Sequence, residues 1–121
     1  MSENKETVAR YMDGFRASDH AMVLSCLTED VEWEMPGAFH LFGQEAFDKE
    51  IENAAFTGRP VITISRMSEE DDVVFAEGAV EAEQADGGRL HARFCDVFEM
   101  RGGKIRKLIT YLNVVKGNAS A

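Results

Sequence analysis

The stretch Leu90-His91-Ala92-Arg93-Phe94-Cys95-Asp96-Val97-Phe98-Glu99-Met100 decides how the rest of the chain is read. Successive side chains of a strand point to opposite faces. In steps of two, Leu90, Ala92, Phe94, Asp96, Phe98 and Met100 therefore fall on one side, and Arg89, His91, Arg93, Cys95, Val97 and Glu99 on the other. The first set is apolar except for Asp96. Such alternation belongs to a sheet covered on one face, so this strand carries a carboxylate into the core. An ionised carboxylate there is costly unless it is paired. Two readings follow: a structural aspartate satisfied by hydrogen bonds, or a working group in the wall of a pocket.

Working outward, Gly102 and Gly103 turn this strand into a last one over residues 104–115, and Asp86, Gly87 and Gly88 turn it back onto residues 72–84. In that earlier strand Val74, Ala76, Gly78, Val80 and Ala82 share the inner side, and Phe75, Glu77, Ala79, Glu81 and Glu83 the outer. Residues 61–67 are rich in β-branched side chains and add another strand. The sheet is expected to be antiparallel. On its outer side Glu77, Glu81 and Glu83 should lie across from Arg89, Arg93 and His91. Phe75, Cys95, Val97 and Tyr111 give that side the mixed character of a protein contact, expected to be a homodimer face.

The N-terminal half has helical period. Val8, Tyr11, Met12 and Phe15 form one stripe with Tyr11 at its centre, and Met22, Val23, Cys26 and Leu27 form a second after the capping Ser18 and Asp19. Val31, Trp33 and Met35 then alternate with Glu32 and Glu34 as a short strand ending at Pro36, with Trp33 and Met35 facing in. Residues 37–42 have no period yet hold Phe39, His40, Leu41 and Phe42. This apolar loop needs something to cover and is expected to be a lid. His40 there is either a pocket-edge group or a surface imidazole. A third helix over residues 44–55 should bury Phe47, Ile51, Ala54 and Ala55.

Composition sets the bounds. The chain of 121 residues, 45% hydrophobic, suits one domain with one core over residues 1–121, and the tail 117–121 is expected to be disordered. No apolar run reaches the length of a membrane helix and the first ten residues are too polar for a signal peptide, so a cytoplasmic protein without membrane contact is expected. The net charge of −9 disfavours nucleic acid. It is uneven: residues 1–88 carry 6 basic against 20 acidic side chains, residues 89–121 carry 7 against 2. Cys26 and Cys95 fit no zinc or redox motif, the three histidines form no ligand pair, and no metal is expected.

Helices first and a sheet afterwards give an α+β fold, with three helices on one side of a strongly bent antiparallel sheet. Small inward residues such as Ala76, Gly78, Ala82 and Ala92 leave room for a cone-shaped pocket between the layers. Its expected lining is Tyr11, Phe15, Trp33, Met35, Phe39, Phe47, Phe94, Asp96 and Phe98.

The segment Phe94-Cys95-Asp96-Val97-Phe98-Glu99-Met100-Arg101-Gly102-Gly103-Lys104-Ile105, followed by Tyr111, resembles the closing hairpin of SnoaL-like proteins. The order of elements over residues 5–115 is that of the ketosteroid-isomerase-like superfamily, with its nuclear transport factor 2-like, cystatin-like fold. The resemblance implies no cofactor. It places Tyr11 and Asp96 at the two oxyanion-hole positions of the ketosteroid isomerases, an enzyme that serves as a standard example of a carboxylic acid kept neutral in order to donate a hydrogen bond. The general-base position falls on Met35, which cannot take a proton, and leaves His40 as the available base. Thr110 and Asn113 stand where some relatives carry acids. The function implied is an isomerase, cyclase or dehydratase acting on an apolar carbonyl compound such as a polyketide or terpenoid. The alternative is a non-catalytic binding or oligomerisation module.

Overall fold

The structure is a computed structural model that describes residues 2–115; the tail expected to be disordered lies outside them. Helix α1 (Glu3–Arg16) is capped by the Ser2 side chain and α2 (His20–Ser25) by that of Asp19. There follow β1 (Leu27–Met35), β2 (Phe39–Phe42), α3 (Gln44–Ile51), β3 (Phe56–Glu70), β4 (Val73–Gln84), β5 (Arg89–Arg101) and β6 (Lys104–Val114). The fold is α+β, with one six-stranded sheet in the order β2-β1-β6-β5-β4-β3. Among the described residues no helix is long and apolar enough to cross a membrane.

The inner face is the one anticipated. Val74, Ala76, Ala92, Phe94, Phe98 and Leu108 are buried on it, and α1 and α3 cover it with Val8, Met12, Phe47 and Ile51. Asp96 is buried among them at 7% exposure, opposite Ala76 on β4 and Thr110 on β6.

Four local expectations are corrected. The sheet is mixed, because β1 pairs with β6 in parallel, Trp33 opposite Leu108; alternation is the same in both kinds of pair and cannot distinguish them. Helix α2 ends at Ser25 and Leu27 opens β1, so Leu27 is buried by sheet pairing rather than by a helical stripe. Residues 39–42 are a strand, hydrogen-bonded to β1 with Trp33 opposite Leu41 and Glu34 opposite His40, and not an aperiodic loop. Helix α3 stops at Ile51, which leaves Ala54 and Ala55 exposed.

The outer face carries ion pairs at 2.7 Å between Arg66 and Glu77 and at 3.0 Å between Arg89 and Glu81. Glu77 is thus taken by β3 rather than by β5, and Arg93 stands opposite Ala79. These exposed pairs contribute little each. Pro60 is accommodated because β3 is an edge strand whose register shifts between Thr57 and Val61.

Strands β3 and β4 approach each other closely at Gly78. A Cβ built there would lie 2.1 Å from the Thr63 carbonyl oxygen and 3.1 Å from the ring of Phe94. The β3 register also shifts beside it, between Ile64 and Arg66, and a shift of this kind increases local bending. Gly78→Ala is expected to lower stability by about 2–3 kcal/mol, because backbone rather than a flexible side chain must move. Urea denaturation measures it; an unchanged midpoint would contradict the close approach.

Candidate functional site

Between the helices and the inner face of the sheet lies a cavity of about 380 Å³. Helix α1 supplies Tyr11 and Phe15, the β1–β2 hairpin supplies Trp33, Met35 and Phe39, and the long strands supply Ile62, Val80, Phe94, Asp96 and Thr110. Its outer end is formed by Glu50, Glu52 and Asn53 at the end of α3 and by Gly58 and Pro60 of β3. His20 pins that end, with Nδ1 2.6 Å from Asp48 and Nε2 2.5 Å from Glu52. Among the described residues no Lys, Arg or His lines the cavity.

Of the residues singled out from sequence, Tyr11, Phe15, Trp33, Met35, Phe39, Phe94 and Asp96 come together in the lining. Phe47 and Phe98 do not line it; at 1% and 0% exposure they pack behind it. Phe47 stacks on Trp33 with centroids 4.5 Å apart, and Phe98 meets Tyr11 edge-on at 5.4 Å. Both hold lining rings in place. His40 is absent from the cavity. On β2 the alternation turns Phe39 and Leu41 inward and His40 and Phe42 outward, and His40 Nε2 lies 2.6 Å from the Glu32 carboxylate. The segment expected to be a lid therefore covers the cavity only through Phe39, whose ring stands edge-on to Trp33 at 5.1 Å.

Sequence reading missed Thr110 as a site residue, noting it only as a missing acid. Its parity with Leu108 on β6 was the available signal. The acidic outer end was missed because α3 was extended past Ile51.

The electrostatics centre on Asp96. Burial raises its carboxyl from 3.8 to about 7, and the Thr110 hydroxyl, facing it across β5 and β6, opposes part of that rise. Its Oδ1 has no hydrogen-bond partner among the described residues. Tyr11 is pushed well above its ordinary 10.0, first by burial and then by the charge of Asp96, so its hydroxyl keeps its proton and can only be a donor to a developing anion. Trp33 Nε1 donates to Thr110 Oγ1 at 3.0 Å. Among the described residues no group of three or more His, Cys, Asp or Glu side chains is arranged to hold a metal ion.

A family profile described as a SnoaL-like domain matches residues 8–108. The chain belongs to the SnoaL-like domain family. No curated protein matches it by sequence. Among solved structures it is similar to an NTF2-like protein of unknown function from Burkholderia pseudomallei, at 17% identity over 93% of this chain and 92% of that one, with a TM-score of 0.84. It is similar to a candidate polyketide cyclase from Xanthomonas campestris at 22% identity, 92% and 90% coverage and a TM-score of 0.82. It is also similar to an LEH-like epoxide hydrolase from M. tuberculosis at 19% identity, 92% and 83% coverage and a TM-score of 0.81. At these identities the likeness fixes the SnoaL-like domain as an NTF2-like fold and leaves the chemistry to the cavity.

Because folding raises the Asp96 value, the folded state holds a proton that the unfolded chain has already released. Stability therefore falls as pH rises from about 3.8 to about 7, by roughly 1.4 kcal/mol per pH unit. His20, raised by Glu52 and Asp48, loses its own contribution as pH rises through its folded value. That loss is common to the wild type and Asp96→Asn. Urea midpoints at pH 5 and pH 8 should show Asp96→Asn losing less stability than the wild type and exceeding it at pH 8. Parallel losses in the two proteins would show that Asp96 is not a buried acid.

Proposed function

We propose that the protein is a cofactor-independent enzyme that isomerises or cyclises an apolar carbonyl compound, with Asp96 as the acid–base group and Tyr11 as the donor to the carbonyl oxygen. The observation that carries this reading is the Asp96 carboxyl, buried against the cavity, with Oδ1 unpartnered and a titration raised to about 7. A group that titrates near neutral pH can both take and return a proton. Sequence resemblance gave Asp96 the part of a neutral oxyanion donor and left the base to His40. With His40 turned outward and Met35 unable to accept a proton, the base falls to Asp96 and the oxyanion to Tyr11 alone.

The Asp96 carboxylate removes the proton α to the carbonyl, and the Tyr11 hydroxyl donates to the oxygen on which charge collects. In an isomerisation Asp96 returns the proton to another carbon of the enolate. In a cyclisation the enolate carbon attacks a second carbonyl of the same molecule, and the new alkoxide takes the proton from Asp96. The apolar walls exclude the water that would otherwise compete for both groups. SnoaL-like membership and a neighbour assigned to polyketide cyclisation support this reading.

The test is exchange of α-protons in D2O, followed by NMR for a panel of fused-ring ketones. Asp96→Asn should slow exchange by about 10²-fold or more and Tyr11→Phe by about 10-fold or more. Equal rates for wild type and Asp96→Asn overturn the assignment. The second reading, a non-catalytic binding module, is favoured by Met35, which lines the cavity where the resemblance places a base. A ketone that binds without exchanging its protons would select it.

The outer face is proposed as a homodimer contact. Phe75, Val97 and Ile109 stand side by side across β4, β5 and β6, with Tyr111 beside Cys95 as the next rung. Phe75 and Tyr111 remain 39% and 50% exposed, which a self-complementary contact would cover. Light scattering at tens of micromolar should give twice the 13.5 kDa chain mass, and Tyr111→Glu should return it to the monomer. A monomeric wild type overturns this contact.

A further inference from the structure

A relay of facing polar groups runs from β1 through β6 to Asp96. Trp33 Nε1 donates to Thr110 Oγ1 at 3.0 Å, and both residues are buried. An indole N–H can only donate, whereas a hydroxyl has one proton and two acceptor positions. With Trp33 occupying an acceptor position, the Thr110 proton must be directed elsewhere. Directly opposite Thr110 on the adjacent strand stands Asp96, its side chain on the same inner face and in the same cavity wall.

The start of the relay is rigid. Trp33 is stacked on Phe47 at 4.5 Å and flanked edge-on by Phe39 at 5.1 Å and Phe15 at 6.1 Å, so its N–H is fixed before any ligand arrives. The parallel pairing of β1 and β6 puts Trp33 opposite Leu108, and Thr110 is the next inward residue along β6. An antiparallel partner would run the other way along β6 from that point and would alter this geometry.

We propose that Thr110, oriented by the Trp33 N–H, is a positioning residue: from the facing rung of β6 it turns its proton towards the Asp96 carboxyl, whose buried Oδ1 lacks a donor, and so stabilises the ionised form. This rests on the reading of Asp96 as the acid–base group. Two facts converge on it. The Asp96 Oδ1 is shielded from solvent and has no hydrogen-bond partner among the described residues, an acceptor open to the proton that Thr110 has to place. The Thr110 hydroxyl also acts on Asp96 in the direction expected of a donor to a carboxylate, against the effect of burial. The other groups packed around Asp96 do not take this part. Ala76 opposite it on β4 has no polar side chain, Tyr11 on α1 is a neutral phenol, and Glu50 and Glu52 stand at the outer end of the cavity.

The experiment is an NMR titration of the Asp96 carboxyl carbon in the free protein, for wild type, Thr110→Val, Thr110→Ser and Trp33→Phe. Thr110→Val, close in volume but without a donor, should titrate about one to two pH units higher. Thr110→Ser should return towards the wild-type value, and Trp33→Phe should shift upward by less than Thr110→Val, because the hydroxyl is then free to turn. Thr110→Val at or below the wild-type value overturns the inference. Where Thr110→Val does not fold, Trp33→Phe at or below the wild-type value does the same. No substrate is used, so the two readings fail separately. An upward shift in a protein that exchanges no ketone proton keeps the relay and sinks the catalytic role, while exchange that depends on Asp96 with no shift does the reverse.

Discussion

A carboxyl group taken out of water loses its hydration, and in this fold it gains no opposite charge in return, since among the described residues no cationic side chain lines the cavity. That imbalance holds Asp96 near the point where its proton is exchanged freely, and much of the surrounding architecture serves to maintain it. Strand β5 is paired on both edges, by β4 and β6, so that Asp96 cannot swing to the surface. Helices α1 and α3 close the inner face with Tyr11, Phe15 and Phe47, which keeps bulk water away. Burial of the surrounding aromatic rings supplies the free energy that offsets the unfavourable group.

Much of this was legible in the sequence, because the inner and outer faces of β4 and β5 follow a strict period of two, and a single polar residue in an apolar set is conspicuous. Tyr11 was equally legible at the centre of an i, i+3, i+4, i+7 stripe. What was not legible had physical causes. The direction of a strand pair leaves no mark in alternation, so the β1–β6 pairing was hidden, and with it the approach of Trp33 to Thr110. Strand β2 is only four residues long, and Phe39-His40-Leu41-Phe42 has a polar residue at one position only, too few to show a period. The early end of α3 at Ile51 depends on the turn that follows rather than on propensity.

His40 illustrates how parity decides chemistry. Placed in a loop, it had freedom to reach the cavity; placed in a strand, it has two directions, and Phe39 and Leu41 take the inward one. Its contact with Glu32 at 2.6 Å and the ring of Phe42 at 4.5 Å then fix it on the outside. One strand assignment therefore takes an imidazole out of reach of the cavity and leaves Asp96 as the base of the proposed reaction. The same NTF2-like frame, shared at low identity with proteins of different description, leaves such choices to single side chains.

Trp33 is the sole tryptophan of the sequence, and its indole forms part of the cavity wall. Intrinsic emission excited at the red edge of protein absorbance accordingly comes from one position, free of background from any other indole. The chain carries its own optical probe: occupancy of the cavity and loss of the hydrogen bond to Thr110 would be read on the same chromophore, the first as quenching or energy transfer and the second as a change in emission colour.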